Sequence, residues 1–145
     1  MKLISHRGNI SGPNSKHENT FDYLNYAYTS GYDVECDLIS HRGTLYFGHD
    51  EPQEPANLGF LQSEGVWCHA KNLEALEMLL SMRTNTFWHQ EDTVTLTSKS
   101  YIWCYPGTWL QNKNSVWLDL LGAVMPTDTQ GIHGICSDYV EKYKT

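Results

Sequence analysis

The chain is short of positive charge and has no long apolar run. Ten Lys and Arg face 17 Asp and Glu, a formal net charge of -7. That balance argues against a general binder of nucleic acid or of anionic membrane surfaces. No stretch approaches the ~20 consecutive apolar residues of a membrane span, and Met1-Lys2-Leu3-Ile4-Ser5-His6 carries no signal-peptide pattern. A cytoplasmic location is the resulting expectation. Cys-x-x-Cys pairs are missing too: Cys36, Cys68, Cys104 and Cys136 each lie in or beside an apolar, strand-like run. They read as reduced packing residues, which excludes a disulfide frame or a zinc ribbon. Internal repeats, low-complexity stretches and interdomain linkers are absent as well. Residues 1–145 are therefore expected to form one domain around one core.

What is present is a run of carboxylates at strand spacing. Asp33-Val34-Glu35-Cys36-Asp37-Leu38-Ile39 alternates acidic and apolar residues with period two. Asp33, Glu35 and Asp37 thus project from one face and Val34, Cys36 and Leu38 from the other. Burying the apolar face crowds the carboxylates, which repel unless a cation or basic group lies between them. A solvated acidic face on an edge strand is the structural alternative.

Along the chain, Lys2 to Ser5 reads as a strand ending at His6-Arg7-Gly8, and Asn9 to Lys16 as a loop broken by Gly12-Pro13 and Asn14. Asn19 or Thr20 can cap a helix whose apolar stripe is Phe21, Leu24, Tyr26-Ala27 and Tyr28, and Gly31 stops it. The acidic strand follows, then a turn at His41-Arg42-Gly43 and a short return strand to His49-Asp50. Val66 to Ala70 reads as a third strand, feeding a helix marked by Leu73, Leu76, Glu77, Leu79 and Leu80, with Asn72 as its cap. Thr86 to His89 and Tyr101 to Tyr105 read as further strands, with Asp92 to Lys99 between them as one or two helical turns. Val116 to Leu118 and Ala123 to Met125 are short apolar runs, and Gly134 to Ser137 is a last strand. Repeated strand–helix units predict an α/β fold with a parallel sheet. A regular eight-unit barrel takes ~250 residues, so a barrel here would have several helices shortened or missing.

Polar residues gather where these strands end: His6-Arg7, Glu35 and Asp37, His49-Asp50, His69 and Lys71, His89, and Asp138. In parallel α/β folds the C-terminal strand ends are where sites are built. One histidine there is most often a satisfied core residue; four after four different strands are harder to read that way. Glu35 and Asp37 suit a hard divalent cation such as Mg²⁺ or Ca²⁺. His6 and His49 can act as an acid/base pair, Arg7 offers phosphate a planar fork, and Lys71 a point charge. Together they point to phosphoryl transfer, where positioning and charge neutralisation do most of the catalysis. Glu18 has the plain alternative of a carboxylate at a helix N-terminus. His89 has structural and functional readings of equal weight, and Asp138 suits a structural role, holding an arginine or lysine at the barrel rim.

The motifs resemble those of the glycerophosphodiester phosphodiesterases, of the phospholipase-C-like phosphodiesterase superfamily. Their first strand ends in H-R-G (His6-Arg7-Gly8), a helix opens with E-N-T (Glu18-Asn19-Thr20), and the second strand reads G-x-D-x-x-E-x-D. Gly31, Asp33, Glu35 and Asp37 fill the last with one residue fewer between the first aspartate and the glutamate. The hairpin ends in H-D (His49-Asp50) and the last strand reads G-I-x-T-D, here Gly134-Ile135-Cys136-Ser137-Asp138. The resemblance implies a TIM-type (β/α) barrel, here a reduced one. It also implies metal-dependent hydrolysis of glycerophosphodiesters or a similar small phosphodiester in lipid metabolism. In that scheme His6 and His49 are catalytic, Glu35 and Asp37 hold the metal, and Arg7 and Lys71 contact phosphate. Glu18 lies near the metal, and Asp50 and His89 stand beside the site.

Where the family's third strand reads E-x-K, this chain has His69-Ala70-Lys71. If His69 is a ligand, the preference moves from Mg²⁺ or Ca²⁺ towards Mn²⁺ or Zn²⁺. The family's usual insertion has no counterpart, which implies a shallow substrate pocket. Two other readings accompany the hydrolase: a phosphate-ester-binding module without turnover, and a lyase that forms a cyclic phosphate. An oligomer could supply walls that a stripped barrel lacks.

Overall fold

The strand β2 (Asp33–His41) is the member to which the rest of the sheet is joined. In the computed structural model, which describes residues 1–145, β2 pairs with three strands at once. β1 (Lys2–His6) runs parallel on one side, with His6 opposite Glu35. β5 (Val66–Ala70) runs parallel on the other, with Cys36 opposite Cys68 and Asp37 opposite His69. β3 (Thr44–Phe47) turns back antiparallel on the C-terminal half of β2, and β4 (Glu54–Pro55) adds to β3. Beyond β5 lies β6 (Asn85–Phe87). Beyond β1 come β10 (Gly134–Ser137), β9 (Ser115–Leu118) and β8 (Ile102–Cys104), all parallel. β7 (Val94–Leu96) closes that side antiparallel to β8.

This corrects the expected reduced TIM-type barrel. The molecule is a curled, mixed ten-stranded sheet, a half-barrel, with only three α-helices: α1 (Phe21–Thr29), α2 (Leu58–Leu61) and α3 (Leu73–Ser81). No ladder joins β6 to β7. The chain between β6 and β10 contains no α-helix at all. Its segments hold Pro106-Gly107, Asn112, Asn114, Gly122, Pro126 and Gly131 and no apolar stripe of period 3.6, so nothing there could bury a helical face against the sheet. Residues 92–99, expected as helical turns, instead contain β7; the β-branched Thr93, Val94 and Thr95 favour the extended backbone. None of the helices is long and apolar enough to cross a membrane.

Apolar residues pack on both faces of the curl. Outside, Val34, Cys36, Leu38, Val66, Cys68 and Ala70 lie beneath Leu24 and Ala27 of α1, Phe60 and Leu61 of α2, and Ala75 and Leu79 of α3. Inside, Ile4, Trp67, Phe87, Trp103, Val116, Leu118 and Cys136 fill the concave side, with Phe87 and Trp103 stacked 4.5 Å apart. All four cysteines are free and buried. Local capping fixes the helices. The Asn72 side chain accepts from Ala75 N at 3.0 Å while donating to Ser40 O at 2.9 Å, tying the start of α3 to β2. Thr20 makes no side-chain cap, and Glu54 of β4 instead accepts from Phe21 N.

On the helix-poor side, a 3₁₀ turn at Val140–Tyr143 covers β1 and β10. The buried Tyr143 hydroxyl donates to Asp119 Oδ2 at the end of β9 and approaches Val124 O at 3.2 Å. A buried bond to a carboxylate contributes roughly 1.5–3 kcal/mol, so Tyr143→Phe should lower the unfolding free energy by about 2 kcal/mol in urea titrations. Burial and the Asp119 carboxylate both raise the Tyr143 pKa above the ordinary value of 10.0. An acid whose pKa is raised by folding contributes stability below its unfolded pKa and loses it as pH rises. Wild-type stability should therefore fall as pH rises above about 10, and more steeply than that of Tyr143→Phe.

Candidate metal centre

Strand register brings the acidic face and the histidines together. Because Asp37 lies opposite His69 and Glu35 opposite His6, their side chains leave the same concave face of neighbouring strands. Asp33, two residues earlier on that face, belongs to the opposite mouth. Lys2 Nζ lies 3.3 Å from its Oδ1, and Trp67 Nε1 donates to its Oδ2 at 3.0 Å. The acidic run thus divides into a neutralised Asp33 and a buried Glu35–Asp37 pair. Those two are 1% and 0% exposed, which removes the solvated-edge alternative.

One donor atom from each of Glu35, Asp37 and His69 falls within 4.8 Å of the others. His69 Nδ1 lies 3.2 Å from Asp37 Oδ1 and 3.7 Å from Glu35 Oε1. Ligands held at about 2.0–2.2 Å from one ion sit roughly 3–3.5 Å apart; the His69–Asp37 pair has that spacing, and the His69–Glu35 pair is slightly wider. Glu35 Oε2, Asp37 Oδ1 and His69 Nε2 are all buried without a hydrogen-bond partner. His69 Nδ1 thus approaches Asp37 Oδ1 without a well-aligned hydrogen bond. Two charged carboxylates within 4.8 Å of each other repel by roughly 3 kcal/mol or more at an effective dielectric near 20. Burial and the Asp37 charge together push the Glu35 pKa up to about 7. Burial works on Asp37 in the same direction, but His69 and the Arg7 guanidinium outweigh it and hold that carboxyl well below its usual range. The cluster can hold a metal ion, and a cation there would satisfy the orphaned oxygens.

The surroundings hold the triad in place. Asn19, at φ 58°, uses its whole side chain on Asp37, with Oδ1 accepting from Asp37 N and Nδ2 donating to Oδ2, both at 2.9 Å. Asn is among the few residues that adopt this left-handed backbone readily. Arg7 is left-handed as well (φ 55°) and sets its Nε 2.8 Å from Asp37 Oδ2 and one terminal nitrogen 3.6 Å from Glu18 Oε2. The turn demands Gly8 next. At φ 92°, a Cβ there would lie 2.6 Å from the Tyr23 ring. Glu18 stays outside the triad, its Oε1 accepting from Asn9 Nδ2 at 2.9 Å.

His6 ends β1 beside the end of β10, so its Nδ1 meets Asp138 Oδ1 at 2.7 Å. Its Nε2 lies 3.9 Å from Glu35 Oε2. Asn9 donates to the same Asp138 oxygen at 2.8 Å. Burial opposes a charge on His6, but the Asp138 hydrogen bond and the Glu35 carboxylate outweigh it and raise its pKa above the ordinary 6.5. Across the mouth, Lys71 Nζ lies 3.3 Å from His49 Nε2, and Asp50 Oδ1 lies 2.7 Å from His49 Nδ1. His89 stacks on His69 at 5.1 Å, and burial next to that ring lowers its pKa to about 4.

Eight of the residues singled out by sequence, His6, Arg7, Glu18, Glu35, His49, His69, Lys71 and His89, line one cleft of about 470 Å³ with Asp138, Trp103 and Tyr105. Asp37 lies beneath its floor, and Asp50 backs His49 from the solvent side. A larger groove of about 840 Å³ runs beside α1 past His17, Tyr26 and Glu54, but no ligand triad converges there. Sequence reasoning missed the carboxylate–imidazole pair of Asp138 and His6 and the clamp of Asn19 on Asp37. The first left no local signal. The second was visible only as the middle letter of Glu18-Asn19-Thr20.

Mn²⁺ should raise the melting temperature and EDTA should reverse the rise, because an ion that binds the native state alone stabilises it. In Glu35→Gln the metal-dependent rise should disappear, while the metal-free protein should melt no lower than wild type, since a buried like-charge pair has been relieved. Differential scanning fluorimetry reads both. Against protein-family models, curated proteins and solved structures alike, the chain finds no match.

Proposed function

We propose that the protein is a metal-dependent phosphodiester hydrolase acting on glycerophosphodiesters or a related small phosphodiester. The observation that carries this reading is the setting of His6. It is pinned through Nδ1 by Asp138 and presents Nε2 3.9 Å from an orphaned oxygen of the ligand carboxylate Glu35. An imidazole oriented by a carboxylate is a proton-transfer group, and here it stands at the edge of a site fit for a divalent cation. Binding alone would not require it.

Glu35, Asp37 and His69 would hold the ion. With an imidazole nitrogen among the donors, Mn²⁺ or Zn²⁺ suits the set better than Ca²⁺ or Mg²⁺. A bound divalent ion neutralises charge on the phosphoryl oxygens and lowers the pKa of a coordinated hydroxyl or water. The chain's own residues supply the rest. Lys71 and Arg7 attract the phosphate, although Arg7 shares its charge with Asp37 and Glu18. His6 and His49 divide acid and base duties: one accepts a proton from the attacking hydroxyl or water at Nε2, and the other returns one to the departing alcohol. Trp103, Leu118, Leu120 and Pro106 give the cleft an apolar wall for the alcohol portion.

A panel of glycerophosphodiesters assayed with Mn²⁺, Zn²⁺, Mg²⁺, Ca²⁺ or EDTA tests the reading. Turnover should require metal, fall by 10²–10⁴ in His6→Ala, and vanish in Glu35→Ala. A cyclic product would make the enzyme a lyase. Metal and phosphate binding without turnover would sink the hydrolase and leave a phosphate-ester-binding module, the reading favoured by the absence of a third carboxylate at His69.

A further inference from the structure

The carboxylate side of the cleft accounts for four of its six unsatisfied buried atoms, Arg7 Nε, Glu35 Oε2, Asp37 Oδ1 and His69 Nε2. Across the curl, at the end of β8, the Tyr105 hydroxyl is also buried with no hydrogen-bond partner, as is Nδ1 of His89. Tyr105 is not loosely placed. Its N–H donates to Thr93 O at 2.9 Å, its carbonyl accepts from Thr108 N at 3.0 Å, and its ring packs on that of His89 at 3.7 Å. A firmly held tyrosine with an idle buried hydroxyl is costly unless something outside the chain meets it. Burial, and then the charges of Glu35 and Asp37, keep the phenol protonated, so it is a hydrogen-bond donor near those carboxylates. Yet it does not bond to the orphaned Glu35 Oε2, although both line the same cleft. An unmet donor and an unmet acceptor that do not reach each other mark a gap, which an anion held against a cation on the carboxylates would fill.

We propose that Tyr105 is a catalytic residue of this cleft, its hydroxyl donating to a non-bridging phosphate oxygen from the wall opposite Glu35 and Asp37. The inference rests on the phosphodiesterase reading and adds to it a group outside the motifs that suggested that reading. A donor so placed strengthens its bond as charge builds on the phosphoryl oxygens, which is how preorganised donors accelerate such reactions.

The test is calorimetric titration of inorganic phosphate into wild type and Tyr105→Phe, each with and without Mn²⁺, alongside turnover and melting curves. Loss of one hydrogen bond to an anionic oxygen should weaken phosphate binding by roughly ten- to a hundredfold. Mn²⁺ affinity should stay within about twofold and the melting temperature should not drop, since the removed hydroxyl has no partner in the fold. Turnover should fall by about 10²-fold. Phosphate affinity equal in the two proteins would overturn the proposal, as would a lowered melting temperature with unchanged phosphate binding, which would assign the hydroxyl to the fold. Phosphate binding that depends on Tyr105 in a protein without turnover would uphold this contact while the hydrolase reading fails.

Discussion

Two carboxylates buried side by side on one strand are the constraint around which this molecule is built. Glu35 and Asp37 leave the same face of β2 and lie in the concavity of a sheet that excludes water from them. In water, two such groups cost little; in this setting their repulsion is comparable to a sizeable fraction of a small domain's net stability. The fold answers unequally. Asp37 receives Arg7, Asn19 and His69, while Glu35 keeps a bare oxygen and a pKa lifted to about 7. That asymmetry marks an incomplete charge balance, which a divalent cation would complete.

The neighbouring groups make sense as supports of that centre. Left-handed backbone at Arg7 and at Asn19 is strained or at best tolerated for non-glycine residues, and both residues turn their side chains onto Asp37. Asp138 and Asn9 perform the same office for His6 from the last strand. A buried polar network of this kind rigidifies when satisfied and is costly when only partly satisfied. Its unsatisfied members line one cleft or lie just beneath it, which sets that cleft, and not the larger groove along α1, apart as the candidate site.

The half-barrel follows from what covers the sheet. Three short helices bury the outer faces of β2 and β5, and the β8–β10 side is packed instead by Trp117, Ile132 and Cys104 with loop residues. A sheet without a full ring of helices can still curl, because strand twist does not require them. Here the curl is filled by the stacked His69, Phe87 and Trp103 rings. Seven strands still run parallel, so their C-terminal ends converge and the strand-end histidines and carboxylates meet, although the expected (β/α) architecture is absent.

Local spacing alone determined a good part of this. The alternation at 33–39, the helix after Thr20, the Asn72 cap and the polar strand ends were legible because each depends on residues within a few positions of one another. At 116–118 and 123–125 only short apolar runs were legible, not that the stretch around them would leave this side of the sheet without helices. Tertiary structure alone decided which carboxylates share a site: Asp33 was drawn to Lys2 and Trp67 at the far mouth, while Glu35 and Asp37 stayed with His69. It also decided that His6 is held by Asp138, 132 residues away in sequence, and that Tyr105 faces the cleft with its hydroxyl free. Those outcomes depend on strand register and on the direction of the curl. Both are set by the packing of the whole sheet, which no run of neighbouring residues encodes.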